Sequence, residues 1–143
     1  MTATAADAAP RVKRPYRPKT TDEMVAGVRR QIRGLEARAM DEEPSHMPPA
    51  MLELAAEMED AAVRVVARMR MIGYRWDDIA APLGLSKQAC FNRYGIKAAA
   101  WADGYQATRP SMPAGLNELQ RHWWASGRAA RIADDRAAAE TAA

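Results

Sequence analysis

Lys87, Gln88, Phe91 and Asn92 are the side chains of this chain best suited to reading the edge of another molecule. Their spacing sets them side by side on one face of a helix. Each carboxamide, Gln88 and Asn92, presents a donor beside an acceptor, the pattern that meets an adenine edge in two bonds. Lys87 can donate to guanine or to phosphate, and Phe91 can touch a thymine methyl. Ser86 and Arg93 bracket the set, and both suit contacts with phosphate oxygens. Plainer roles compete with these. Phe91 can equally pack against a neighbouring helix, and Arg93 can equally meet a local acid.

These residues need an element to hold them, and the stretch WDDIAAPLGLSKQACFNRY from Trp76 to Tyr94 supplies one. It reads as a helix-turn-helix spanning residues 74–95. A first helix needs a small residue facing its partner and a glycine at its exit, which Ala80 and Gly84 provide. Ile79, Leu83 and Leu85 supply apolar contacts between the helices. Ser86 is placed to cap a second helix running Lys87 to Tyr94. Three positions depart from the usual pattern. Arg75 stands where a Ser or Thr cap is common, leaving Asp77 and Asp78 to serve the helix start and its dipole. Pro82 removes a backbone bond at a typical cost of about 3 kcal/mol, so a short or distorted first helix is expected. Cys90 takes an inward position where a branched apolar residue is more usual, and packs as a small hydrophobe.

The run IGYRWDDIAAPLGLSKQACFNRYG, preceded by a long amphipathic helix, resembles small helix-turn-helix proteins of actinobacteria and their phages, whose unit looks like the DNA-reading part of sigma factors. Trp76, Ile79-Ala80, Leu83-Gly84, Ser86-Lys87-Gln88-Ala89 and Arg93-Tyr94-Gly95 carry the likeness, which covers residues 72–95. It implies an all-α fold and a contact with double-stranded DNA. Downstream of Gly95 it offers nothing.

With 143 residues the chain is long enough for one modest core. It is rich in Ala, Arg and Met and poor in Val, Thr and Phe, so helices are expected and strands are not. The net charge of +3 conceals a basic arm, residues 1–19, in which Arg11, Lys13, Arg14, Arg17 and Lys19 cluster among Pro10, Pro15 and Pro18. Such an arm is expected to be disordered alone. Arg14 and Arg17 suit a narrow minor groove or the phosphate backbone, although a merely solvated tail is an equal reading. The single cysteine, Cys90, excludes an intrachain disulfide. No signal sequence and no run of about 20 apolar residues is present, so a cytoplasmic, nucleoid-associated protein without membrane contact is expected.

Upstream, Thr20 and Glu23 have capping-box spacing. Val25, Val28, Ile32, Leu35 and Ala39 follow as one stripe, predicting a helix that ends near Met40. DEEPSHMPP is a stiff connection, and Pro49 suits the opening of a second helix. There Met51, Ala55, Met58, Ala62, Val65, Met69 and Ile72 step by fours and threes to Gly73. The pattern predicts a long antiparallel helical pair leading into the helix-turn-helix, and it equally suits a coiled-coil seam between two copies. Gly95 reads as a stop, with a further short helix over Ile96–Ala102. Residues 20–102 are therefore expected as the folded domain. Residues 103–143 are expected as a loop and a C-terminal helix starting near Leu116, with Leu116, Leu119 and Trp123 as its stripe and a frayed tail after Ala129. Trp123 and Trp124, being adjacent, are not expected to face one core.

An enzyme is not expected. His46 and His122 are far apart, and the chain has no zinc-like spacing, phosphate loop or nucleophile elbow. No metal or cofactor is predicted. The reading is a sequence-specific transcriptional regulator that occupies double-stranded DNA as a homodimer, with RNA polymerase or another protein as a further partner. The alternatives are a protein-interaction or recruitment factor, as in phage packaging, and an architectural DNA binder without sequence choice.

Overall fold

The structure is a computed structural model that describes residues 17–41 and 44–143. Helices carry the described chain and no strand occurs among the described residues, as the composition predicts. The order is α1 (Thr21–Asp41), a 3-10 turn (Pro44–His46), α2 (Met47–Met71), α3 (Trp76–Ala80), a 3-10 turn (Ala81–Leu83), α4 (Lys87–Gln106) and α5 (Glu118–Ala142). No helix among the described residues is long and apolar enough to cross a membrane.

The chain divides into two compact units, Met1–Pro48 and Pro49–Ala143. In the first, α1 opens on the predicted capping box: the Glu23 N–H donates to Thr20 Oγ1 at 3.3 Å and the Thr20 N–H donates to Glu23 Oε2 at 2.8 Å. Val25, Val28 and Ile32 of its apolar stripe are exposed, as is Met24 beside them. Helix α1 belongs to the first unit, and α2 from Pro49 onward to the second.

The second unit is built on one core. Val63, Val66 and Ala67 of α2 meet Ile79 and Ala80 of α3, Cys90, Tyr94, Ala98, Ala100 and Trp101 of α4, and Trp123 of α5. This corrects the stripe expected for α2, in which Met58, Val65 and Ile72 prove exposed. Ala62 and Met69 of that stripe do pack against the core, so the buried face is rotated from the expected stripe toward Val63 and only partly overlaps it. Gly73, at φ +103°, ends the helix as predicted.

Further expectations are tested downstream. Gly95 does not stop α4, which continues without a break to Gln106. Here the glycine admits the Phe91 ring, whose carbons would lie 2.8 Å from a Cβ at Gly95. Trp123 and Trp124 do not share one core, as expected, yet both are buried, because α4 and α5 approach to backbone contact at Gly104 and Gly127. At that separation adjacent indoles straddle the contact line: Trp123 enters the core, and Trp124 lines a cleft together with Ala100, Pro113 and Leu116. Asn117 caps α5, accepting from the Gln120 N–H at 2.8 Å. The helix then runs to Ala142, through the segment expected to fray, and the core reaches past the expected domain boundary at residue 102.

Candidate nucleic-acid interface

The segment between α2 and α4 forms the local structure that its residues predicted. Asp78 supplies the return half of a capping box at the helix start, its Oδ2 accepting from the Arg75 N–H at 3.1 Å. Pro82 converts the end of the first helix into a 3-10 turn, Ala81–Leu83. This shortens α3 to Trp76–Ala80, as the loss of a backbone donor requires. Gly84 then takes the left-handed conformation, φ +66°, and donates its N–H to the Ala81 carbonyl. Leu85 returns to the first helix, its N–H bonding the Ala80 carbonyl at 3.2 Å. Ser86 caps α4, its Oγ accepting from the Ala89 N–H at 3.1 Å.

Ile79, Ala80, Cys90 and Tyr94 are buried where the two helices meet. Burial also pushes the Cys90 thiol pKa up, so the sulfur is a packing group. Leu83 departs from its expected inward role and is 51% exposed, because the 3-10 turn rotates it outward.

The opposite face of the first turns of α4 is open. Ser86, Lys87, Gln88, Phe91, Asn92 and Arg93 are all exposed, so the structure brings these predicted residues to one helix end. Gln88 Nε2 donates to Asn92 Oδ1 at 2.8 Å, one helical turn apart. That bond fixes which way the two amides point while leaving the Gln88 carbonyl oxygen and the Asn92 amino group to contact a ligand. Phe91 divides its surface between both readings. Its ring meets Trp76 edge-on with centroids 5.5 Å apart, and 44% of the residue remains exposed. Trp76 is itself covered by the Arg70 guanidinium, 5.1 Å from the ring centre.

Arg93 meets a local acid. Its Nη2 lies 2.8 Å from Glu59 Oε1 of α2, with Nε bonding the same oxygen at 3.1 Å. The bond to Glu59 raises its pKa further. Arg17 is also engaged, with Nη2 2.7 Å from Glu23 Oε1 at the start of α1. Arg14 lies outside the described residues.

Two features beside this face escaped the sequence reading. An open cleft of about 420 Å³ runs behind Phe91, lined by Arg70, Met71, Trp76, Ala98, Asp103 and Gln106. A cluster also ties α2, α4 and α5 together. Arg68 lies over the rings of Trp101 and Tyr105, 5.3 and 5.2 Å from their centres. Asp134 accepts from Tyr105 Oη at 2.7 Å and pairs with Arg68 at 3.3 Å. The Tyr105 bond and then Arg68 hold the Asp134 carboxyl below its ordinary range, and the same bond raises the Tyr105 pKa. The cluster had no local signal, since Arg68, Tyr105 and Asp134 are each more than twenty residues apart and leave no periodicity to read.

No group of His, Cys, Asp and Glu among the described residues is arranged to hold a metal ion. Compared with known protein families, with curated proteins and with solved structures, the chain matches none of them.

Proposed function

We propose that this chain binds double-stranded DNA by laying the N-terminal turns of α4 in the major groove, and that it regulates transcription as a homodimer. The supporting observation is the arrangement of α4. Its Ser86-capped end presents Lys87, Gln88, Phe91 and Asn92 outward, while Cys90 and Tyr94 anchor the same turns inward. A reading helix needs this division: buried residues fix its angle, and polar side chains at its N-terminal end reach base edges. In this reading Gln88 and Asn92 select bases, Lys87 contacts guanine or phosphate, and Ser86 donates its hydroxyl hydrogen to the backbone. Arg93 exchanges Glu59 for phosphate on binding, and Arg14 and Arg17 add salt-dependent affinity.

A protein-interaction role is the second reading, favoured by the exposed Met24, Val25, Val28 and Ile32 of α1. Backbone amide shifts in an NMR titration with duplex DNA separate the two. DNA binding moves the resonances of residues 86–93 first and most. Absence of any shift there at low salt rejects the proposal.

A further inference from the structure

The hydrogen bond between Gln88 and Asn92 decides which of their atoms are free for a base. Gln88 Nε2 donates to Asn92 Oδ1 at 2.8 Å, an i, i+4 contact on the open face of α4. Each amide brings one oxygen and one nitrogen. The bond engages the nitrogen of Gln88 and the oxygen of Asn92. The atoms left wholly unengaged are Gln88 Oε1, an acceptor, and Asn92 Nδ2, a donor, and neither has another hydrogen bond among the described residues.

The neighbours leave this pair uncovered. Around the helix axis the order is Lys87, Phe91, Gln88, Asn92. The Phe91 ring lies toward the C-terminal side, over Gly95 and edge-on to Trp76, and so away from Gln88. Arg93, next after Asn92, is turned to Glu59.

We infer that the bridged amides act as one reading unit for a single adenine, with Asn92 Nδ2 donating to N7 and Gln88 Oε1 accepting from N6. Adenine alone sets an acceptor beside a donor on its major-groove edge. Guanine offers two acceptors, cytosine a donor, and thymine an acceptor beside a methyl group. Reading two adenines separately would require each amide to turn both its oxygen and its nitrogen to its own base, and the atoms of the bridge would then be shared or released. Reading one adenine keeps the bridge and uses the atoms it leaves free.

This inference rests on the DNA reading proposed above and deepens it. Its test is selection from randomised duplex DNA by the full chain and by Gln88→Glu and Asn92→Asp. Both positions are exposed, near a helix N-terminus where added negative charge is favourable, so both variants should fold. In either variant the carboxylate accepts from the remaining amide, and the pair then turns two acceptors outward, which suits the cytosine amino group. The added charge weakens binding to all sequences alike, so base frequencies are compared within each selected pool. The expected result is one adenine in each half-site that both variants replace by cytosine at that same position, a change in preference of about 5- to 150-fold. Two adenine positions, each changed by a different variant, show separate readers and overturn the inference while leaving DNA reading in place. A wild-type pool with no enriched site overturns the DNA reading and this inference with it. If the carboxylates abolish retention, wild type decides alone, against duplexes in which each selected adenine is replaced in turn by 7-deazaadenine, which lacks the N7 acceptor. One sensitive adenine in each half-site supports the single unit, and two overturn it.

Discussion

Gly127 of α5 lies directly against the backbone carbonyl of Trp101 in α4, and Gly104 meets the carbonyl of Trp124 in the reciprocal way. A Cβ at either position has no room unless the helices separate, and separation loosens the indoles packed beside the contact. Gly127→Ala and Gly104→Ala should each destabilise the second unit by about 1–3 kcal/mol or more, the usual cost of overpacking a close contact. Denaturant unfolding measures this. A loss below about 0.5 kcal/mol at both positions would show that the helices do not meet so closely.

The same pair of glycines shows where the sequence was legible and where it was not. Turn chemistry is local, so the Thr20–Glu23 box, the positive φ of Gly84, the Ser86 cap and the distortion at Pro82 could all be read from neighbouring residues. Gly95, Gly104 and Gly127 look the same in sequence as helix-ending glycines. What keeps them helical is the partner each admits, the Phe91 ring or an opposing carbonyl. The candidate reading face was legible because a helix fixes the relative directions of residues 87, 88, 91 and 92. The Arg93–Glu59 bond was not, since it depends on how α2 crosses α4.

Gly84 sits in a conformation that costs other L-residues free energy. Nothing lies within 4 Å of a Cβ there, so the penalty is purely conformational. Gly84→Ala should destabilise by about 1 kcal/mol, and Gly84→Asn by less, because Asn tolerates the left-handed region. Equal stability of Gly84→Ala and wild type in thermal unfolding would contradict this geometry.

The Arg93–Glu59 pair gives the proposed interface a competing partner. Glu59→Ala removes it and should tighten duplex binding beyond the effect of deleting an equal charge elsewhere, for which Glu140→Ala is the control. Arg93→Ala should weaken binding and reduce the slope of log affinity against log salt by about one. Fluorescence anisotropy across a salt series distinguishes these outcomes. Identical slopes for Arg93→Ala and wild type would remove Arg93 from the phosphate contacts.

Asp134 makes stability depend on acid. Folding lowers its carboxyl pKa through Tyr105 and Arg68. Its contribution is therefore present above the unfolded carboxylate value, and it is lost as pH falls through the lowered folded value. Wild type should lose more stability than Asp134→Asn on acidification below about pH 4. The difference should be small because the pair is exposed to solvent. Parallel acid limbs for the two proteins would show that the cluster contributes nothing.

Sequence choice by Gln88 and Asn92 is the central claim, and selection from a pool of randomised duplex DNA at near-physiological salt tests it most directly. Wild type should enrich an inverted repeat with adenine at defined positions. Gln88→Ala with Asn92→Ala, both exposed, should remain folded and lose that preference, since each well-formed amide–adenine contact contributes about 1–3 kcal/mol of discrimination. Retention of DNA without an enriched site, or the same enriched site from the double variant, would contradict the account.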